Sequence, residues 1–326
     1  MVIIMIKKYD MFRFIIKCVL IPAAAIFLIY ELNKNYVPIN DENYWDLVKF
    51  DVLKLESPDI QIANIGSSHA ECGFDYTMLT KQGYDCFNFA NTSQSYDYDY
   101  GILKEYGQYM SPGSVLFIPV SYFSFNNEVV NAKEAQALSI RYYRILSPEN
   151  MPNYDLYVDI VSHKLPILSA GSNITKLFAE WFPDLSIIAH AAGSEVSAEQ
   201  FSSWARDRYS RHFDNKEEYF LAERITELYD IIAYCREHDV TPVLITTPFT
   251  SFYCDLVSAE FRMEFYAKID AIVSDTGVNY YDYSYDERFR DNLELFSDAD
   301  HLNADGARFF MEILTDEVSE MERFGF

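Results

Sequence analysis

Five short apolar runs alternate with stretches of helical period, and this alternation constrains the fold more than any other feature of the chain. The runs are Ile60–Ile65, Tyr84–Ala90, Ser114–Val120, Thr241–Pro248 and Val278–Tyr281. Strands covered on both faces read as continuous apolar segments, and the helices between them supply the crossovers that parallel pairing requires. Leu221, Ile225, Leu228 and Ile232 recur at helical spacing before the fourth run. The expected fold class is therefore α/β, a doubly wound parallel sheet of about five strands.

The rhythm stops between about Ser121 and Asp214, where several Pro and Gly, Trp181 and Trp204, and the run Arg141-Tyr142-Tyr143-Arg144 occur without a strand signal. An insertion here leaves from the carboxyl edge of the sheet, which makes it a helical lid, a substrate platform or a plain structural excursion. Ahead of the sheet, Met11–Tyr30 approaches the roughly 20 apolar residues that cross a bilayer. Lys7, Lys8, Arg13 and Lys17 precede or open it, and Asp41 and Glu42 follow. The positive-inside rule then keeps the N-terminus in the cytoplasm. The expected organisation is 1–10 cytoplasmic, 11–30 a transmembrane signal anchor, 31–57 a connector, and 58–326 one extracytoplasmic domain on a single-pass protein of the cell membrane. A cleaved signal peptide and a buried N-terminal helix are the rival readings of the apolar segment.

The balance of 26 Lys+Arg against 50 Asp+Glu gives a net charge of -24, a field that repels phosphate backbones, so no nucleic-acid partner is expected. The 26 tyrosines suit amphipathic ligands such as carbohydrate, as well as ordinary core and rim positions. None of the five cysteines forms a Cys-x-x-Cys pair, which leaves zinc and dithiol chemistry unsupported. Free buried thiols are the simplest reading, Cys72 being a core residue of the first helix.

Chemistry is concentrated at two places far apart in the chain. The first apolar run breaks at Gly66 and delivers Ser67 and Ser68 to the sheet rim. Near the other end, Asp298-Ala299-Asp300-His301 sets carboxylates and an imidazole on one short loop. A serine hydroxyl attacks only when a base takes its proton, and an imidazole does so when a carboxylate fixes its tautomer. Ser68 as nucleophile, His301 as base and Asp298 as orienting acid supply these roles in the order Ser, Asp, His. In doubly wound sheets both loops emerge at the carboxyl ends of the strands, where ligands bind. Asp298, Asp300 and His301 could also ligate a metal, but no second ligand cluster accompanies them, so neither metal nor cofactor is expected.

Gly66-Ser67-Ser68 after the first strand, with Asp298-x-x-His301 before the terminal helix, resembles the SGNH/GDSL hydrolase superfamily. The Gly-Ser-Ser form and the N-terminal anchor resemble its extracytoplasmic branch, which includes teichoic-acid D-alanylation proteins and exopolysaccharide O-acetyltransferases. The resemblance implies a flavodoxin-like sheet, a Ser-His-Asp triad working through an acyl-enzyme, and acyl esters on a cell-surface glycan as substrate. A membrane-bound acyltransferase is a further implied partner. The family's second-block glycine corresponds to Ser93, whose backbone N–H would join that of Ser68 in the oxyanion hole. The third-block Asn is replaced by Pro119-Val120-Ser121-Tyr122-Phe123-Ser124, so Ser121 or Asn126 would take its place. His69, Asn91, Arg141 and Arg144 are the candidate substrate contacts. The competing class is a non-catalytic accessory protein of the same fold that binds a glycan or a membrane acyltransferase.

Overall fold

The computed structural model describes residues 2–34, 47–126, 139–165, 197–214 and 218–325. It contains two compact units, one of Met1–Val48, Ser139–Ile145 and Asn153–His190, the other of Lys49–Leu138, Leu146–Pro152 and Ala191–Phe326. The second unit holds the sheet. Its strands are β1 (Ile60–Asn64), β2 (Cys86–Asn88), β3 (Met110–Pro119), β4 (Thr241–Thr246) and β5 (Asn279–Asp282). All pair in parallel in the order β2-β1-β3-β4-β5. This is the flavodoxin-like order, in which the chain turns outward on either side of the β1/β3 boundary and leaves a crevice beyond the strand ends there.

Among the described residues the α-helices of five residues or more are α1 (Val2–Lys34), α2 (Val48–Glu56), α3 (Ser68–Gly73), α4 (Thr77–Lys81), α5 (Tyr96–Tyr106), α6 (Ala198–Phe213), α7 (Ala222–Glu237), α8 (Ala259–Thr276) and α9 (Ala304–Glu317). Their ends follow local chemistry. The Ser197, Ser258 and Asn303 side chains accept backbone N–H bonds at the starts of α6, α8 and α9. Gly277, at φ +65, closes α8 in the left-handed conformation. The core joins Ile62, Val115, Phe117, Val243 and Ile245 of the strands to Phe74, Phe310 and Leu314.

Several boundaries differ from the pattern in the sequence. The connector carries α2, which buries Phe50 and Leu53. β3 starts at Met110, four residues before the apolar run at Ser114, and contains Pro112-Gly113, because Met110 already pairs with Ile60 and the register then shifts before Ile62. Cys72 is exposed and not in the core; Cys235 and Cys254 are buried. The described residues of the insertion are helical or irregular, without a strand; Trp181 lies outside the described residues.

In the first unit, α1 carries an apolar window, Ile16–Asn33, of mean hydropathy 1.7 and 0% burial. By length and composition it is a candidate membrane span, or a signal sequence.

Candidate active site

The turn after β1 is built to present Ser68. Gly66 sits at φ +118, a conformation that side chains rarely adopt, and a Cβ there would lie 3.1 Å from the Ala70 Cβ. Its N–H donates to Asp99 Oδ1 at 2.8 Å, and its carbonyl accepts the Asn91 N–H at 3.1 Å. Gripped on both sides, the chain passes through extended Ser67 and starts α3 at Ser68, which remains partly exposed.

The loop before α9 is pinned as firmly. Thr250 donates its hydroxyl to the Ala299 carbonyl at 2.6 Å, and Ser297 N–H bonds to the His301 carbonyl at 2.9 Å. Asp298 Oδ1 accepts the backbone N–H groups of Asp300 (3.0 Å) and His301 (2.9 Å), while its Oδ2 lies 2.8 Å from His301 Nδ1. The other ring nitrogen, Nε2, lies 2.8 Å from Ser68 Oγ. Burial opposes a charge on Asp298, but the hydrogen bond and charge of His301 and the Asp300 amide outweigh it and hold the carboxyl well below its ordinary range. An ionised Asp298 accepts the Nδ1–H of His301 and leaves Nε2 bare toward the serine. This is the arrangement in which an imidazole takes a hydroxyl proton.

Ser93, Ser121, Gly66 and Ser67 line one cleft of about 70 Å³, together with Ser124, Asn126 and Asp99. Ser93 lies at φ +55, the left-handed region that favours glycine. The Ser121 N–H donates to Ser124 Oγ at 2.8 Å, and the Asn126 amide donates to the His212 carbonyl at 3.0 Å. Ser121 Oγ is buried against His69 Nδ1 at 3.2 Å, and Asn126 Oδ1 is buried without a hydrogen-bond partner.

The expected substrate contacts fare differently. His69 is buried, with Nδ1 3.2 Å from Ser121 Oγ and Nε2 3.0 Å from Asp300 Oδ2. Asn91 is buried too and directs its amide to Gln94 Oε1 at 2.7 Å. Arg141 and Arg144 belong to the other compact unit, where Arg141 donates to the Tyr142 hydroxyl at 3.0 Å. Sequence reasoning missed Arg208 of α6, whose Nη2 lies 3.1 Å from Asp298 Oδ2 and whose Nε lies 3.2 Å from Asp300 Oδ1. The only trace of it in the sequence was a cationic helix in an acidic chain. His69, Asp300 and His301 each offer a ligating atom within 4.8 Å of the others, the spacing of a metal site. Those groups make the hydrogen bonds described above.

No family model and no curated protein matches the chain. Among solved structures it is similar to a putative acylhydrolase from Bacteroides fragilis, at 12% identity, 85% coverage of this chain, 96% of that one and a TM-score of 0.40. It is also similar to the acetyl xylan esterase AlAXEase, at 13% identity, 79% and 100% coverage and a TM-score of 0.40. A third is a mutant of an acetyl-xylooligosaccharide esterase from Geobacillus, at 9% identity, 80% and 95% coverage and a TM-score of 0.38.

Proposed function

We propose that this chain is an SGNH-type serine esterase or O-acyltransferase, anchored by α1 and acting outside the cytoplasm on acyl esters of a cell-surface polysaccharide. The observation that carries the reading is the contact of Ser68 Oγ, His301 Nε2 and Asp298, closed by distances of 2.8 Å on both sides of the ring. A non-catalytic protein would have no need of this contact, which favours an enzyme over an accessory protein of the same fold.

In the proposed reaction His301 Nε2 takes the Ser68 proton as Oγ attacks the ester carbonyl. The N–H groups of Ser68 and Ser93 and the Ser121 hydroxyl receive the oxyanion. Collapse expels the alcohol, which takes its proton from His301, and leaves an acyl-Ser68. Water or an acceptor hydroxyl then repeats the sequence, with His301 again as base. Hydrolysis and transfer differ only in that acceptor. A groove of mixed lining, with Phe74 and Ala307 beside Glu71, Asp75, Tyr76 and Lys81, begins one turn along α3 from Ser68 and is the proposed place for a glycan. A membrane acyltransferase is the proposed source of acyl groups for transfer.

The test is labelling by a fluorophosphonate, with hydrolysis of p-nitrophenyl acetate as the turnover assay. The wild-type chain is labelled and turns over, and Ser68→Ala does neither while keeping its circular dichroism spectrum. Labelling that survives in Ser68→Ala refutes the assignment.

A further inference from the structure

A second Ser-His-Asp array lies behind the first. Ser121 Oγ, His69 Nδ1, His69 Nε2 and Asp300 Oδ2 form an unbroken chain through contacts of 3.2 and 3.0 Å. The ring is turned the opposite way from that of His301, with Nδ1 toward the serine. It is packed between Phe123 (4.9 Å) and Phe249 (5.2 Å) and meets the His301 ring edge-on at 4.8 Å. One end of the array, Ser121, lines the cleft beside Ser67 and Ser93. The other end touches the first array, because Asp300 Oδ1 lies 3.3 Å from His301 Nδ1.

This chain has two hydrogen-bond polarities. With Asp300 ionised, His69 donates Nε2–H to it, Nδ1 is bare, and the Ser121 O–H must point inward to Nδ1. With Asp300 protonated, its O–H donates to Nε2, the ring carries Nδ1–H, and that hydrogen occupies a lone pair of Ser121 Oγ. The Ser121 hydroxyl proton then turns outward. We infer that His69 and Asp300 are positioning residues that set the direction of the Ser121 hydroxyl, making it an oxyanion donor when the pair holds one extra proton and withdrawing it when the pair does not. The inference rests on Ser68 being the nucleophile.

Asp300 Oδ1 is fully enclosed and faces the Arg208 Nε at 3.2 Å, so burial and a cation pull its protonation in opposite directions. Burial prevails, pushing Asp300 up to about 7 against the opposing pull of His301 and Arg208. Burial likewise lowers His69, with Arg208 adding to the effect, so the ring itself stays neutral. The charged and titratable groups facing the pair are Arg208 and His212 from α6, Asp298 and His301 from the loop before α9, and Cys72 from α3.

The direct test is 15N NMR of the ring nitrogens of His69 in the full-length protein, taken on either side of pH 7. The expected result is a tautomer that changes from Nδ1–H in acid to Nε2–H in base. A single tautomer across the range overturns the inference. Kinetics supply a second readout with p-nitrophenyl acetate. Ser121→Ala is expected to lower kcat by about a hundredfold with KM little changed, the usual cost of one oxyanion donor. Wild-type kcat should fall as the pH rises through about 7, and the fall should vanish in Asp300→Asn, whose carboxamide nitrogen donates to Nε2 at every pH. A Ser121→Ala enzyme within twofold of wild type, or an Asp300→Asn profile that overlays wild type, overturns it as well. Activity that persists in Ser68→Ala would instead mark failure of the underlying assignment.

Discussion

Asp298 holds His301 twice, accepting its backbone N–H at 2.9 Å and standing 2.8 Å from its ring Nδ1. The same carboxylate therefore shapes the loop and selects the tautomer. Asp298→Asn keeps an acceptor for the backbone and loses the charge that stabilises the imidazolium. We expect kcat on p-nitrophenyl acetate to fall by about 10²- to 10⁴-fold with KM unchanged. A fall below threefold would remove Asp298 from the mechanism.

Arg208 spans Asp298 and Asp300 at 3.1 and 3.2 Å. Without this cation, Asp300 binds its proton more tightly, since Arg208 opposes the effect of burial there. Arg208→Met is expected to lower kcat by about tenfold, as one second-layer partner of a positioned group commonly does, and to move the alkaline fall in kcat to higher pH. A raised KM at constant kcat would make Arg208 a substrate contact instead.

Asp99 is fully buried, with Oδ1 bonded to the Gly66 N–H and to Gln94, and burial pushes its carboxyl up to about 8. The folded chain keeps this proton to about pH 8, whereas the unfolded chain releases it near pH 4. The folded state thus binds more protons between those values, and stability falls as the pH rises across that window. Asp99→Asn retains an acceptor for Gly66 and removes the titration. Urea melts should show a flatter dependence between pH 4 and 8, with a gain of a few kcal/mol at the alkaline end. Parallel pH profiles for the two proteins would contradict this.

Gly66→Ala forces a side chain into φ +118 and against Ala70. The expected cost is about 1–3 kcal/mol in urea denaturation, with fluorophosphonate labelling lost to a greater degree than stability because the strain falls next to Ser68. Unimpaired labelling would show that the turn does not position the nucleophile.

The sheet was legible because each strand is a local apolar run, and the crevice followed from strand order. The meeting of Ser68, Asp298 and His301 was legible because each lies in a short motif at the carboxyl ends of the strands. Arg208, and the pairing of His69 with Asp300 231 positions away, had no such local trace. Side chains that meet across a fold leave no periodicity in the sequence, and the position of His69 beside Ser68 suggests a substrate contact, whereas the ring is buried. Asp99 was hidden among the acidic and tyrosyl residues of Tyr96–Tyr106, where its burial depends on the far side of the helix. α2 has no trace in the connector's sequence because nine residues with two buried positions make too weak a period to separate from a loop.

The hydrogen bond between Ser68 and His301 joins residues 233 positions apart. Translation is vectorial, so a ribosome that has just added Ser68 must still complete four strands and the insertion before the imidazole exists. Throughout that interval the nascent serine is an ordinary alcohol, unable to acylate itself on esters it meets during synthesis. Under the proposed assignment its reactivity appears only when the loop ahead of α9 docks, so fluorophosphonate labelling of Ser68 would report that folding is complete.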